Sequence, residues 1–224
     1  MSRTLFITGA SSGIGAATAR AAVEAGWKVG LFARSEDKLS ALVDELGSDN
    51  AVAIPGDASD YNAQAKAVAN LAEVWGGIDA AFANAGTGLS AAGTEAGDPE
   101  EWERMIRLNV MGVLWTAKAA MPHLRERKGH LVLTGSAAGR THIKGSVYSA
   151  SKWFVHGYGG NLAEEMREWG GRCTVVAPGM VDTPFFEEAK PDKLQPEDIA
   201  RSVVFALEAD PRSNVQEIFV MPTR

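Results

Sequence analysis

Short apolar runs recur along the chain, and each is followed by a longer stretch in which apolar residues return every three or four positions. The runs TLFIT (4–8), KVGLFA (28–33), AVAIP (51–55), IDAAFAN (78–84), HLVLTG (130–135), CTVVAP (173–178) and EIFVM (217–221) predict seven strands. Several show little alternation, as strands do when helices cover both faces of their sheet. The amphipathic stretches 13–26, 36–46, 60–75, 99–127, 147–169 and 196–209 predict the helices. Ser35, Asp98-Pro99 and Pro196 stand where helices start. Repeated strand–helix alternation predicts an α/β fold with a doubly wound parallel sheet and right-handed crossovers. With no repeats and no low-complexity segment, one domain over residues 1–224 is expected.

The end of the first predicted strand adds chemistry. It reads TGASSGIG, Thr8 to Gly15, and a helix follows at once. Glycines at 9, 13 and 15 let the backbone turn tightly, approach a pyrophosphate and pack helix against strand, as in a Rossmann-type dinucleotide fold. The helix N-terminus offers free N–H groups and a positive dipole end, so Ser11, Ser12 and Ile14 complete the expected cradle. At the end of the second strand such folds carry an acid for the ribose 2′-OH. Here FARSEDKL places Ala33 there, followed by Arg34. A guanidinium suits a 2′-phosphate, and no carboxylate opposes one, so NADP(H) is expected ahead of NAD(H).

A second site candidate is YSASK, Tyr148 to Lys152. Residues four apart share one helix face, so a phenol and an ammonium address one small volume. A Tyr of pKa about 10 is ionised roughly one part in a thousand at pH 7, and a nearby cation favours the phenolate.

Composition excludes other classes. A net charge of −6 argues against nucleic acid as a partner. The lone Cys173 excludes an internal disulfide and reads as a buried thiol in RCTVVAP. No apolar run approaches the roughly eighteen residues of a membrane span, and MSRTLFITGA carries no leader pattern, so a cytoplasmic protein without a membrane partner is expected. His123, His130, His142 and His156 are scattered without metal-ligand spacing, and no metal is expected.

TGASSGIG, ANAG (83–86), Asn109 in RLNVMGV, Ser136 in LTGSAAG, YSASK and PGMVDT (178–183) stand in the order seen in short-chain dehydrogenases/reductases, which essentially the whole chain resembles. The C-terminal stretch LQPEDIARSVVFALEAD…VQEIFVMPTR is similar to the NADP-dependent 3-hydroxy acid (serine-type) dehydrogenases and clavaldehyde-type reductases. The resemblance implies hydride transfer between a nicotinamide and a small carbonyl or alcohol. Tyr148 would be general acid/base, and Lys152 would lower its pKa and hold the nicotinamide ribose. Ser136 would bond the substrate oxygen, and Asn109 would hold a water linked to Lys152. Asn84, Ala85 and Gly86 would flank the adenosine side, with Asp57 near the adenine, and Pro178, Gly179, Val181 and Thr183 would border the nicotinamide. It also implies a homodimer or homotetramer joined through helices 99–127 and 147–169.

Two departures from the family pattern stand out. Ala83 occupies the place of a frequent second Asn, and the interval from Ser136 to Tyr148 is one residue short, which leaves Ser146 as a rival serine. His142, Lys144 and Arg140 lie where members line the substrate pocket, the two cations suiting an anionic substrate. Met180, Phe185 and Phe186 fall in or beside an irregular segment that either closes over substrate or anchors itself to the core. The short stretch 184–195 suits small hydroxy acids, aldehydes or ketones. Two alternatives stay open. A non-catalytic NADP(H)-sensing regulator would tend to lose the Tyr or Lys kept here. A sugar-nucleotide epimerase or dehydratase would have GxxGxxG rather than GxxxGxG.

Overall fold

The computed structural model describes residues 3–91, 93–186 and 188–223. Its strands are β1 (Arg3–Thr8), β2 (Trp27–Ala33), β3 (Ala51–Pro55), β4 (Ala80–Ala83), β5 (His130–Thr134), β6 (Arg172–Pro178) and β7 (Glu217–Val220). They form one sheet in the order β3-β2-β1-β4-β5-β6-β7, every pairing parallel. The winding reverses between β1 and β4. Both strands end there at one edge, the crevice where open α/β sheets take ligands.

Helices α1 (Gly13–Glu24), α2 (Glu36–Leu46) and α7 (Pro196–Glu208) pack on one face around Leu31, Leu39, Phe82, Ile199 and Val203. Helices α3 (Tyr61–Trp75), α5 (Gly112–Arg127) and α6 (Val147–Arg167) cover the other around Phe6, Phe32, Leu71, Leu131 and Met166. Burial on both faces is why the strands read as apolar runs. Each wholly buried Phe or Leu contributes roughly 1.5–3 kcal/mol of transfer free energy. Cys173 lies in the second core, where burial pushes its thiol up to about 12 and leaves it unreactive.

The starts of the helices bear out the capping logic in part. Asp98 accepts from Glu100 N at 2.9 Å, with Pro99 in the first turn. Gln195 and Asp198 form a reciprocal capping box ahead of Pro196. Ser35 precedes α2 but makes no side-chain cap bond.

Two elements differ from expectation. The run 78–84 is a strand only over Ala80–Ala83, because Asp79 turns its carboxylate to Thr4 N at 2.8 Å and Asn84 leaves the ladder for Thr8. The predicted helix 99–127 is three pieces: α4 (Pro99–Ile106), a π-helical turn (Arg107–Met111) and α5. The π turn inserts one residue and swings Asn109 inward, where its side chain is buried.

Candidate active site

The edge above β1 and β4 is laced by polar side chains from three strands. Thr8 Oγ1 accepts from the N–H groups of Asn84 (3.0 Å) and Ala85 (3.2 Å). Asn84 Nδ2 donates to the Thr8 carbonyl at 3.1 Å, and its Oδ1 accepts from Thr134 Oγ1 at 3.1 Å. Asn84 thus ties β1, β4 and β5 together, with its side-chain groups spent inside the protein. Nothing in the sequence singled out Thr8 or Thr134, since their partners lie far along the chain.

The glycine turn lies directly on this lacing. Gly9 and Gly13 have φ of 67° and 50°, a region that favours glycine. A Cβ on Gly15 would stand 2.3 Å from the Gly9 carbonyl oxygen and 2.9 Å from Asn84 Nδ2. Ser12, ahead of α1, makes no side-chain cap bond. The first-turn N–H groups around Gly13, Ile14 and Gly15 are therefore left to face the crevice, with Ser11 beside them. This cradle, too tight for any side chain and rich in unspent donors, fits a pyrophosphate.

Arg34, just past β2, is exposed and has no ion-pair partner among the described residues. Asp57 follows β3 and spends one carboxylate oxygen on Ser59 N at 2.8 Å. On the far side, Pro178 ends β6 and Gly179 N donates to Val220 O at 2.7 Å. Val181 bridges Leu194 and is buried. Thr183 then crosses back: its methyl would lie 3.1 Å from a Cβ on Gly13, so the segment after β6 spans the crevice to the glycine turn.

The Tyr148–Lys152 pair occupies the first turns of α6 on the other wall. Lys152 Nζ is buried, donates to Thr134 O at 2.9 Å and stands 5.8 Å from the Tyr148 ring centre. Burial pulls its pKa down to about 8. The phenol of Tyr148 is pushed above its ordinary value by burial, against an opposing pull from a hydrogen bond with the Ser136 side chain. Lys152 spends an N–H on Thr134 O with the Tyr148 ring beside it.

Ser136 opens a 3-10 turn (Ala137–Gly139), its Oγ accepting from Ala138 N at 3.1 Å. Its hydroxyl proton stays free to donate toward Tyr148. Ser146, the rival, is the N-cap of α6 and accepts from Ser149 N at 3.1 Å.

Asn109 clamps a main-chain unit. Its Oδ1 accepts from Thr87 N and its Nδ2 donates to Thr87 O, both at 2.9 Å. A Cβ on Gly86 would lie 3.3 Å from Asn109 Oδ1 and 3.8 Å from Lys152 Nζ, so Asn109, Gly86 and Lys152 share one corner.

Phe185 covers this corner from above, its ring 5.6 Å from that of Tyr148 and tight against Gly88. The other candidates are drawn elsewhere. Arg140 forms a fork with Glu217 at 3.0 and 2.5 Å, which takes it away from an anionic substrate. His142 packs tilted against Trp153 at the surface, ring centres 5.3 Å apart, and Lys144 is exposed. Among the described residues no cluster of three His, Cys, Asp or Glu could hold a metal, and no helix is long and apolar enough to cross a membrane.

Comparison with known proteins agrees with this arrangement. The family described as short chain dehydrogenase matches residues 3–194. An uncharacterized oxidoreductase of Staphylococcus aureus (strain MRSA252) is 38% identical over 96% of this chain and 95% of its own. The structure of an alcohol dehydrogenase from the archaeon Thermococcus sibiricus, complexed with 5-hydroxy-NADP, superposes with a TM-score of 0.91 at 28% identity, covering 100% of this chain and 97% of that one. Serine dehydrogenase from Escherichia coli gives 0.88 at 30% identity over 98% and 97%. A 3-ketoacyl-(acyl-carrier-protein) reductase from Brucella melitensis, complexed with NADH, gives 0.91 at 26% over 99% and 98%. Neighbours with NADP-type and NAD-type ligands share this fold, and the glycine cradle fits the pyrophosphate common to both. The chain belongs to the short-chain dehydrogenase family and is a nicotinamide-dependent oxidoreductase.

Proposed function

We propose that this protein, as one catalytic domain, interconverts a small carbonyl compound and the corresponding alcohol with NADP(H) as cofactor. The observation that carries the reading is the convergence of Tyr148, Lys152 and Ser136 at the sheet edge that the glycine cradle also faces.

In reduction, negative charge builds on the substrate oxygen. Tyr148, held protonated by burial, donates its proton there, and the free Ser136 hydroxyl donates a second hydrogen bond to the same oxygen. Lys152 leaves Thr134 O to hold the nicotinamide ribose and steady the phenolate that remains. When bound, the nicotinamide supplies or accepts the hydride at its C4. Gly9, Ser11, Ser12, Gly13, Ile14 and Gly15 hold its pyrophosphate, and Asp57, Ala85 and Gly86 border the adenosine, Asn84 acting by shaping the edge. Pro178, Gly179, Val181 and Thr183 wall the nicotinamide side, with the Phe185 ring beside Tyr148. Asn109 orders the Thr87 turn beside Lys152, an arrangement suited to a bound water. Disappearance of NADPH absorbance over a panel of aldehydes, ketones and 3-oxo acids tests the reading, and no turnover of any member while NADPH binds would favour the sensor alternative.

The unpaired charge of Arg34 supports NADP(H). Arg34→Glu is expected to lower the NADPH/NADH ratio of kcat/KM by roughly 10- to 100-fold, since one charge-assisted contact becomes a repulsion. An unchanged ratio removes this assignment.

The approach of the Ser136 side chain to the Tyr148 phenol supports Ser136 as the oxygen donor. Ser136→Ala is expected to lower kcat by about 10²-fold. Ser146→Ala should cost mainly stability, about 1 kcal/mol for a lost cap, read as a lowered Tm.

The half-buried rings of Phe154 and Tyr158 stack on the outer face of α6, 5.6 Å apart, next to an open cavity of about 560 Å³ between α5 and α6 lined by Met121 and Tyr158. Such a face suits a two-fold partner, and a homodimer or homotetramer in the cytoplasm is the assembly expected. Light scattering at micromolar concentration should give at least twice the chain mass, and a monomer would contradict it.

A further inference from the structure

His156 lies one helical turn after Lys152, away from the reacting groups, and its side chain is 2% exposed. Its Nε2 donates to the Ser136 carbonyl oxygen at 3.1 Å; burial holds the ring below its ordinary pKa, so the neutral imidazole that makes this bond leaves Nδ1 an acceptor without a donor partner among the described residues, 3.0 Å from Glu217 Oε1. Glu217, the first residue of β7, is held in turn by the Arg140 fork. Those are the charged groups that face the ring, Glu217 from β7 and Arg140 from just past the 3-10 turn. The ring also fills a notch made by the serine turn itself. A Cβ on Gly135 would meet Nε2 at 2.9 Å, and one on Gly139 would meet Cδ2 at 2.5 Å. The two glycines stand at the two ends of the serine turn, so the imidazole is seated against both ends of the turn that carries the hydroxyl.

Resting on the function proposed above, we infer that His156 is a positioning residue, which through its Nε2–H bond to the Ser136 carbonyl and its seat against Gly135 and Gly139 sets the direction of the Ser136 hydroxyl toward Tyr148 and the substrate oxygen. A ring free to leave the notch would release the turn between β5 and α6. A misplacement of about 1 Å in such a donor can cost on the order of 100-fold in rate. The hydrogen bond from Ser136 opposes the upward push of burial on the Tyr148 phenol, so its loss moves that phenol further up. Ser136 and Lys152 are the polar groups that face Tyr148 in this corner.

The test uses the full chain and isosteric replacements. In His156→Gln the amide nitrogen takes the place of Nε2 and keeps the bond to Ser136. In His156→Asn it takes the place of Nδ1 and reaches only Glu217. His156→Gln is expected to retain kcat within a few-fold, and His156→Asn to lose roughly 10- to 100-fold in kcat with NADPH affinity unchanged. The rising limb of alcohol oxidation against pH should move to higher pH in His156→Asn and Ser136→Ala alike, and stay in place in His156→Gln. Equal behaviour of the two His156 variants, or a loss without the pH displacement, overturns the inference. Glu217→Gln, whose amide N–H can donate to Nδ1 and so favour the tautomer that bonds Ser136, should keep the parental kcat and pH profile; a loss of kcat with the pH displacement there also overturns it, even if the His156 variants do not fold. A parent that turns over no carbonyl sinks the underlying reading and this inference with it. Inactivity of Tyr148→Phe beside a parental His156→Asn sinks the inference alone.

Discussion

Tyr148→Phe is expected to lower carbonyl reduction by roughly 10²- to 10⁴-fold, the range for removing a positioned acid from a transition state. The substitution deletes one oxygen and leaves the ring against Phe185, so packing and NADPH affinity should change little. The parent's pH dependence follows from the two groups together. The phenol is raised, so it remains a proton donor throughout the neutral range. Lys152 is lowered to about 8 by burial, so its charge is complete well below that pH and is lost as pH rises through it. Reduction should therefore be level at neutral pH and decline above about 8, while alcohol oxidation, which needs the phenolate, should rise with alkalinity. A Tyr148→Phe variant within a few-fold of the parent would assign the proton to another group.

Gly15→Ala is expected to abolish tight NADPH binding. The added carbon meets the Gly9 carbonyl at 2.3 Å and Asn84 Nδ2 at 2.9 Å. Neither can retreat easily, since the first is main chain in a left-handed turn and the second is bonded to Thr8. The turn must open, which costs roughly 1–3 kcal/mol of stability by overpacking. The same opening separates the first-turn N–H groups of α1 from the pyrophosphate, and Kd should rise about tenfold for every 1.4 kcal/mol by which binding is weakened. Titration of NADPH fluorescence reads the affinity, and a thermal melt reads the stability. A parental Kd would mean that the cofactor lies elsewhere.

Much of this was legible from the chain because the determining forces are local. Strands buried on both faces must be apolar, so β1, β2 and β6 are visible as runs. A left-handed φ and a close approach demand glycine, so Gly9 and Gly15 mark the cradle. Two residues four apart share a helix face wherever the helix lies, so Tyr148 and Lys152 could be paired in advance. What was hidden depends on register between distant segments. The lacing of Thr8, Asn84 and Thr134 exists only because β1, β4 and β5 end side by side. The π turn at Asn109 goes with the bonds of that side chain to Thr87, a partner 22 positions earlier in the chain. The pairing of Arg140 with Glu217 needed β7 to lie beside the serine turn, and it turned an apparent substrate contact into an internal one. That Ser136 borders the Tyr148 phenol while Ser146 caps α6 depends on how the turn after β5 folds back on α6.

The central claim is that hydride and proton reach one carbonyl group together, the first from nicotinamide and the second from Tyr148. Its most direct test is to run carbonyl reduction with NADPH deuterated at both positions of the nicotinamide C4 and to locate the label in the alcohol by NMR. The account predicts one deuterium on the carbinol carbon in the parent and negligible labelled product from Tyr148→Phe over the same time. Alcohol formed without deuterium on that carbon, or formed equally by both proteins, would contradict it.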